Sequence, residues 1–420
     1  MRFLGIAFRN LLRAKRRNGL TGGTMALGTA ALVLGGGLSD GIAHQLTKSL
    51  VAVQTGHLQV VARADDFERQ NSPFDAYGED LIPGGEALAA RIASLGERAG
   101  VRRAVPYLHG RGTATAGSRT SLASIVGIEP AREPELLGAH KVEAGSFLAS
   151  GDDLGVYVAS PVAKKLHLGV GDTVSLIVQT GKGAVNSLDG TIVGLFRKGA
   201  PWYDNTFYIS LRAAQRLFDG EGAATNIKIF LSPQARSNEA RSALLPLVRS
   251  VAGLPEKTSL KLETFEEAGR FSFSIVQANE SALAVLSTFL FLAAAVGTVN
   301  SMLMSVNERT REIGTIRALG MRRRGVLRLF VLEGLALGLT SAVLGVALGG
   351  AAVAYWGSRG ITMNTVSLAW MAGGDVLYPL LRASSAARAA LAISLLSTLA
   401  SLYPAVVASR LEPREALHHV

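Results

Sequence analysis

At 420 residues and 44.0 kDa, with 48% hydrophobic and only 18% charged residues, the chain is too apolar to consist of two or three soluble domains alone. Its net charge of +11 raises nucleic-acid binding, but the bases flank apolar runs and do not form a face interleaved with aromatics, which argues against that class. There is no cysteine, so a disulfide framework, a thiol nucleophile and a cysteine metal site are excluded, and a large domain must be held by core packing.

In chain order, residues 1–19 read as a cytoplasmic interfacial segment. Phe3, Ile6, Ala7 and Leu11 recur at helical spacing with bases opposite, as in a helix lying on the inner membrane surface; a plain cytosolic extension of the first span fits as well. Residues 20–43 form the first span, weakly hydrophobic but uncharged until Asp40. Its length and the basic stretch reaching Arg17 favour an uncut anchor over a cleaved signal. Residues 44–279 change character. Alternating segments at 57–62, 121–128, 173–180, 191–196, 205–210 and 226–231 predict strands, and 85–100, 211–218 and 239–254 carry helical spacing. This is an α+β domain of two lobes, with hinges expected near 105–120 and 225–235. Three further spans follow at 280–306, 326–356 and 387–408, separated by a loop at 307–325 and a short segment at 357–386, and 409–420 form a tail. The fold class is thus a four-helix membrane protein with a large extracytoplasmic α+β domain inserted between helices 1 and 2.

Orientation follows from the bases. Arg2, Arg9, Arg13, Lys15, Arg16 and Arg17 precede the first span, and Arg309, Arg311, Arg317, Arg322, Arg323 and Arg324 lie in the loop between spans two and three. Short basic loops stay cytoplasmic, so both termini are expected inside and 44–279 outside. In a bacterial envelope this means a multi-pass inner-membrane protein with a periplasmic domain. The spans carry almost no ionisable residues of the kind an ion pathway needs.

A search for chemistry in the large domain yields no catalytic residue and no metal site. His57, His109, His140 and His167 are scattered, with no HExxH and no GxSxG. In QTGKGAV (179–185) Gly183 stands where a phosphate loop needs Ser or Thr, so this is a hairpin turn. No nucleotide site and no cofactor of its own are expected, so any ATP would have to be hydrolysed by a partner.

The most informative stretch is NERTREIGTIRALGMRRRGVLRLFVLEGLALGL, 307–339. Its first half predicts a short amphipathic helix that contains Gly314. Ile313, Ile316 and Leu319 lie on one apolar stripe with Glu308, Arg309, Arg311, Glu312 and Arg317 around it, and Gly320 ends it. Such a stripe needs a partner surface. Arg322–Arg324 either join that surface or merely obey the topology rule. Glu333 is expected to pair with Arg328 or with a base on another helix. Gly334 and Gly338, then Ser341, Gly345 and Gly349, form small-residue rows on the third span, as Gly22, Ala26 and Ala30 do on the first, and such rows allow close helix packing.

At these residues the chain resembles the FtsX and MacB superfamily of ABC-transporter permeases, whose loop reads close to ERTREIGxxRALGxxRRxI. VGIEPAREPEL (126–136) with AGSFLASGDDLGVYVASPVAKKLHLGVGDTVSL (144–176) looks like the family's periplasmic domain, and ASRLEPREAL (408–417) also agrees. DGIAHQLTKSLVAVQTGHLQV, from Asp40, is similar to permeases of the lipoprotein-releasing LolC and LolE type. The MacB type carries a fused N-terminal ATPase, whereas this chain opens on its anchor, and the cell-division FtsX type has a smaller periplasmic domain. The resemblance implies a non-catalytic permease served by a cytoplasmic ABC ATPase dimer, with a second permease copy or a sister permease. It also implies contact with membrane lipid and a lipoprotein or other periplasmic substrate, and no nucleic acid. The loop helix at 308–320 would be the coupling helix, and helices continuing past the membrane, such as 264–279, would carry motion outward. Tripartite efflux of a small molecule or peptide and signalling to a periplasmic hydrolase are the alternatives.

Overall fold

The computed structural model describes residues 15–64, 81–181, 183–197, 203–251, 258–363, 365 and 374–411. The interfacial helix expected over the first residues and most of the closing tail lie outside the described residues. The described chain opens on α1 (Lys15–Ser49), which passes into a π-helical turn, Leu50–Thr55, and stops at Gly56 with φ of +67°. There follow β1 (Leu58–Ala64), α2 (Gly85–Ser94), β2 (Val101–Ala116), β3 (Arg119–Ile128), α3 (Pro134–Ala139), β4 (Lys141–Gly145), β5 (Gly155–Ala159), α4 (Ser160–Leu166), β6 (Thr173–Gln179), β7 (Val185–Arg197), β8 (Thr206–Ser210), α5 (Leu211–Leu217), β9 (Asn226–Leu231), α6 (Ser237–Arg249) and β10 (Thr258–Thr264). The one-turn α7 (Phe265–Ala268) leads to α8 (Arg270–Glu308), α9 (Thr310–Ala318), α10 (Arg323–Arg359), the short strands β11 (Ile361–Thr362) and β12 (Val376–Leu377), and α11 (Ala383–Arg410). The described parts of 1–43, 276–361 and 377–420 form a helical unit, and those of 44–275 and 362–376 a sheet unit.

Among the described residues four helices are long and apolar enough to cross a membrane: Asn18–Thr55, Ser272–Glu308, Arg323–Arg359 and Ala383–Arg410. The first two run well beyond the windows read from hydropathy, because helix propensity does not stop where apolarity does. Within the helical unit the small residues of α10 have two partners. A Cβ added at Gly338 would stand 2.8 Å from Ser397 Cβ, and one at Gly334 would stand 3.1 Å from the Ser397 carbonyl, so these two seat α11. One added at Gly345 would meet the Ala26 carbonyl at 2.6 Å, and one at Gly349 the Ala30 carbonyl at 2.7 Å, so the second pair seats α1. On α1, Gly22 faces Ser341 and Leu337. Backbones this close leave no room for larger side chains. The Ser397 hydroxyl donates to the Gly334 carbonyl at 2.8 Å. At the far end Asp40 accepts from the Ser385 hydroxyl at 2.8 Å and pairs with Arg382 at 3.5 Å. Along α8, by contrast, Val285, Leu286, Phe289, Leu292 and Val296 stay uncovered, a surface that suits lipid.

The sheet unit orders its strands β10-β1-β9-β2-β3-β8-β5-β7-β4, with β6 pairing both β2 and β7. Most neighbours are antiparallel; β3 with β8 and β5 with β7 are parallel. Two cores result. One gathers β1, the start of β2, α2 and α6 around Leu58, Val60, Ile92, Ile229 and Leu244. The other gathers Tyr107, Ile125, Tyr157, Phe196, Phe207 and Phe230. The expected hinge at 105–120 is replaced by the continuous strand β2, whose Val101 and Ala104 serve the first core and whose Val105, Tyr107 and Leu108 serve the second. Pro106, Gly110 and Gly112 hid it by interrupting the alternation. The helix expected over 264–279 is preceded by strand β10 and begins at a capping box, in which the Thr264 side chain receives the Glu267 amide and the Glu267 side chain receives the Thr264 amide. The turn after β6 is a hairpin turn, with Gly183 at φ of +82° donating to the Thr180 carbonyl at 2.9 Å.

Candidate functional site: the loop helix between the second and third long helices

The loop 307–325 acquires its shape from local hydrogen bonding. Helix α8 ends at Glu308, and Arg309, with φ of −107° and ψ of 16°, breaks the run before α9. The Thr310 hydroxyl then donates to the Val306 carbonyl at 3.1 Å and the Asn307 carbonyl at 2.9 Å, satisfying acceptors that the end of α8 leaves open. At the other end Gly320 has φ of +99°. Its amide donates to the Arg317 carbonyl at 3.0 Å and the Met321 amide to the Ile316 carbonyl at 3.2 Å, the paired bonds of a Schellman stop. Glu312 in the first turn and Arg317 in the last both complement the helix dipole.

One side of α9 is anchored. Ile313, 6% exposed, packs with Val306, Val326, Phe330, Ala405 and Ala408, a burial worth about 1.5–3 kcal/mol. Thr310 and Gly314 are buried beside it. The Arg309 guanidinium lies 3.5 Å from the Glu333 carboxylate on α10, and both side chains are largely removed from water. Arg317 donates to the Leu411 carbonyl just past α11. The loop helix is therefore fastened to the ends of α8, α10 and α11 together.

The other side is open. Glu308, Arg311 and Glu312 are exposed, as are Ile316 at 37% and Leu319 at 84%. Glu312, Thr315, Ile316 and Leu319 stand at i, i+3, i+4 and i+7 and so form one ridge. The expected single stripe of Ile313, Ile316 and Leu319 is corrected by this geometry. Three residues fall about 60° short of a full turn, so Ile313 and Leu319 diverge to opposite sides, the first inward and the second outward. Arg309 likewise leaves the expected docking set, since its charge is directed at Glu333, and that acid pairs with it and not with Arg328. The sequence signal for the pair was Glu333 itself, an acid inside an apolar run; its partner lies across a chain reversal that periodicity does not show.

No group of three or more His, Asp or Glu that could hold a metal is present among the described residues. The four histidines of the sheet unit noted in the sequence serve its packing and hydrogen bonding. His57 Nδ1 accepts from the Leu231 amide at 3.2 Å, His109 stacks on Tyr107 and His140 on Phe196, and His167 closes α4 in the left-handed conformation at φ of 59°.

A MacB-like periplasmic core domain matches residues 19–247, and an FtsX-like permease C-terminal domain matches 284–413. The chain belongs to the FtsX-like permeases with a MacB-like periplasmic core. Across the family the lipoprotein-releasing system transmembrane protein LolC of Neisseria meningitidis serogroup B is 24% identical to it over 97% of both chains. The macrolide export ATP-binding/permease protein MacB of Bdellovibrio bacteriovorus is 23% identical over 98% of this chain and 61% of its own length. The solved periplasmic region of MacB from Actinobacillus actinomycetemcomitans aligns with 53% of the chain at 13% identity and a TM-score of 0.39. As a permease of this family the chain carries the loop helix within the FtsX-like segment, and the second long helix and third long helix flank it there.

Proposed function

We propose that the chain is the membrane subunit of an ATP-driven machine of a bacterial inner membrane, with both termini cytoplasmic, the sheet unit periplasmic, and the release of lipoproteins as its work. The observation that carries this is α9: a helix pinned on one side to three long helices and open on the other along Glu312, Ile316 and Leu319. An apolar ridge edged by charge suits docking on a protein partner, with the apolar residues supplying buried area and Glu308, Arg311 and Glu312 setting register. The partner is an ABC ATPase dimer holding ATP and magnesium, and a second permease copy or a sister permease completes the membrane part. Closure of the ATPase would move α9, and the Ile313 packing and the Arg309–Glu333 pair would pass that displacement to α8 and α10. Lipoprotein release is favoured by the match to LolC over nearly the whole of both chains.

Affinity capture of the tagged full chain in mild detergent, with mass spectrometry of what accompanies it, tests the reading. A small ATPase with acylated proteins is the expected result. An ATPase with an adaptor or an outer-membrane channel would assign the chain to efflux, for which the MacB match is the specific support. Absence of any ATPase would overturn the transporter reading.

A further inference from the structure

The last carbonyls of a helix have no partner within it. At the end of α1 the π-helical turn Leu50–Thr55 leaves the Val53 carbonyl in that position, and a lysine from the middle of the sheet fills it. Lys228 sits on β9, flanked by Gln59 on β1 and Val105 on β2, and is fully buried. Its ammonium donates to the Val53 carbonyl and lies 3.4 Å from the centre of the Tyr107 ring. The Glu133 carboxylate, fully buried at the start of α3, supplies the opposite charge. A cation at a helix C-terminus is favoured by the helix dipole, and the ring face adds attraction. π-helical turns inside longer helices concentrate at functional positions.

A methionine of similar length would fill this core position, so what is peculiar to lysine is its charge, set against Tyr107 and Glu133, and its donation to the helix carbonyl. Around it, the rest of the turn is fastened too. Gln54 donates to the Tyr203 hydroxyl at 2.9 Å, and the His57 amide to the Ile229 carbonyl at 2.9 Å. The returning chain meets the same place: the Phe265 amide donates to the His57 carbonyl at 3.3 Å, and a Cβ on Gly269 would stand 2.7 Å from a Leu50 methyl. The two chain passages that bound 44–275 therefore close on one joint, with β9 beneath it. β9 itself faces both cores, through Ile227 and Ile229 on one side and Phe230 on the other.

The geometry points to Lys228 as a positioning residue that fastens the π-helical end of α1 to the strand shared by both lobes, so that movement of α1 is passed to the lobes as one body. The coupling role rests on the ATP-driven reading above; the fastening does not. Because the natural chain has no cysteine, spin labels can be placed at will on the full chain in nanodiscs. Pairs at Lys48→Cys with Glu239→Cys and at Lys48→Cys with Arg119→Cys read the joint, and Arg119→Cys with Arg212→Cys reads one lobe internally. Lys228→Met is expected to broaden both joint distance distributions at least twofold and leave the internal pair unchanged. Reconstituted with its ATPase, Lys228→Met is expected to keep ATP hydrolysis within twofold of the unsubstituted chain, while release of a labelled triacylated lipoprotein per ATP falls at least fivefold. If Lys228→Met fails to fold, Lys228→Met/Glu133→Gln removes both buried charges and carries the same comparison. Joint distributions as narrow as in the unsubstituted chain would overturn the fastening, and broadened distributions with unchanged release per ATP would overturn the coupling role. Absence of ATP-driven release by the unsubstituted chain would count against the proposed function alone, and the distance measurement would still decide the joint.

Discussion

Arg309→Met removes a guanidinium that stands 3.5 Å from Glu333. At that separation and an effective dielectric of about 20, the attraction is about 5 kcal/mol, opposed by the desolvation of both groups. The substitution removes the Arg309 charge from beside the buried Glu333 carboxylate, and breaking a buried pair from one side costs about 3–5 kcal/mol. Glu333→Gln, leaving the guanidinium, which at 15% exposure lies nearer water than the acid at 5%, should cost less, about 1–3 kcal/mol. In Arg309→Met/Glu333→Gln neither charge remains, so the loss should fall short of the sum of the two by about 1–3 kcal/mol. The assay is unfolding of the purified full chain by SDS in mixed micelles, followed by circular dichroism and fitted for all four members of the cycle. An Arg309→Met loss below about 1 kcal/mol, or a double variant equal to the sum of the singles, would refute the claim that this pair holds α9 to α10.

Packing, titration and docking give further expectations. Gly338→Leu and Gly345→Leu should each destabilise the helical unit by at least about 1–3 kcal/mol, whereas Gly297→Ala, with nothing within 4 Å of an added Cβ, should be neutral or stabilising by less than about 1 kcal/mol; the same SDS titration ranks them. Burial pulls the Lys228 ammonium down to about 7, with Glu133 acting in the opposite direction. The unfolded chain then binds the extra proton between pH 7 and the ordinary lysine value of 10.5, so the stability of the sheet unit should rise by about 1.4 kcal/mol per pH unit across that window and level off below it. Lys228→Met should remove that rise, and denaturant unfolding of both chains at a series of pH values reads the difference. Ile313→Asp would place a carboxylate among Val306, Val326 and Phe330 and should lower the yield of folded chain severalfold in size-exclusion profiles, while Leu319→Asp should leave those profiles unchanged.

The spans, the strand content and the stop at Gly320 were readable because each rests on a local signal: an uninterrupted apolar window, alternation, or a glycine where a helix must turn left-handed. The small-residue rows of α10 were readable as rows, but their division between α11 and α1 depends on tertiary packing. What escaped was governed by distant contacts. β2 is broken in composition by Pro106, Gly110 and Gly112 yet is held on both sides by neighbouring strands. Lys228 sits in a strand whose pattern would send it to water, but β9 lies between two cores and buries both faces. Arg309 resembled its neighbour Arg311 in every local respect; only the return of α10 beside it separates the buried strut from the exposed charge.

Docking of an ATPase on the open ridge of α9 is the step on which the proposed function depends. Its most direct test is titration of the detergent-solubilised full chain with the ATPase recovered by affinity capture, comparing the unsubstituted protein with Ile316→Asp/Leu319→Asp, with thermal midpoints measured on the same samples. Binding weakened at least tenfold with an unchanged midpoint is predicted; equal affinity in the two chains would contradict the assignment.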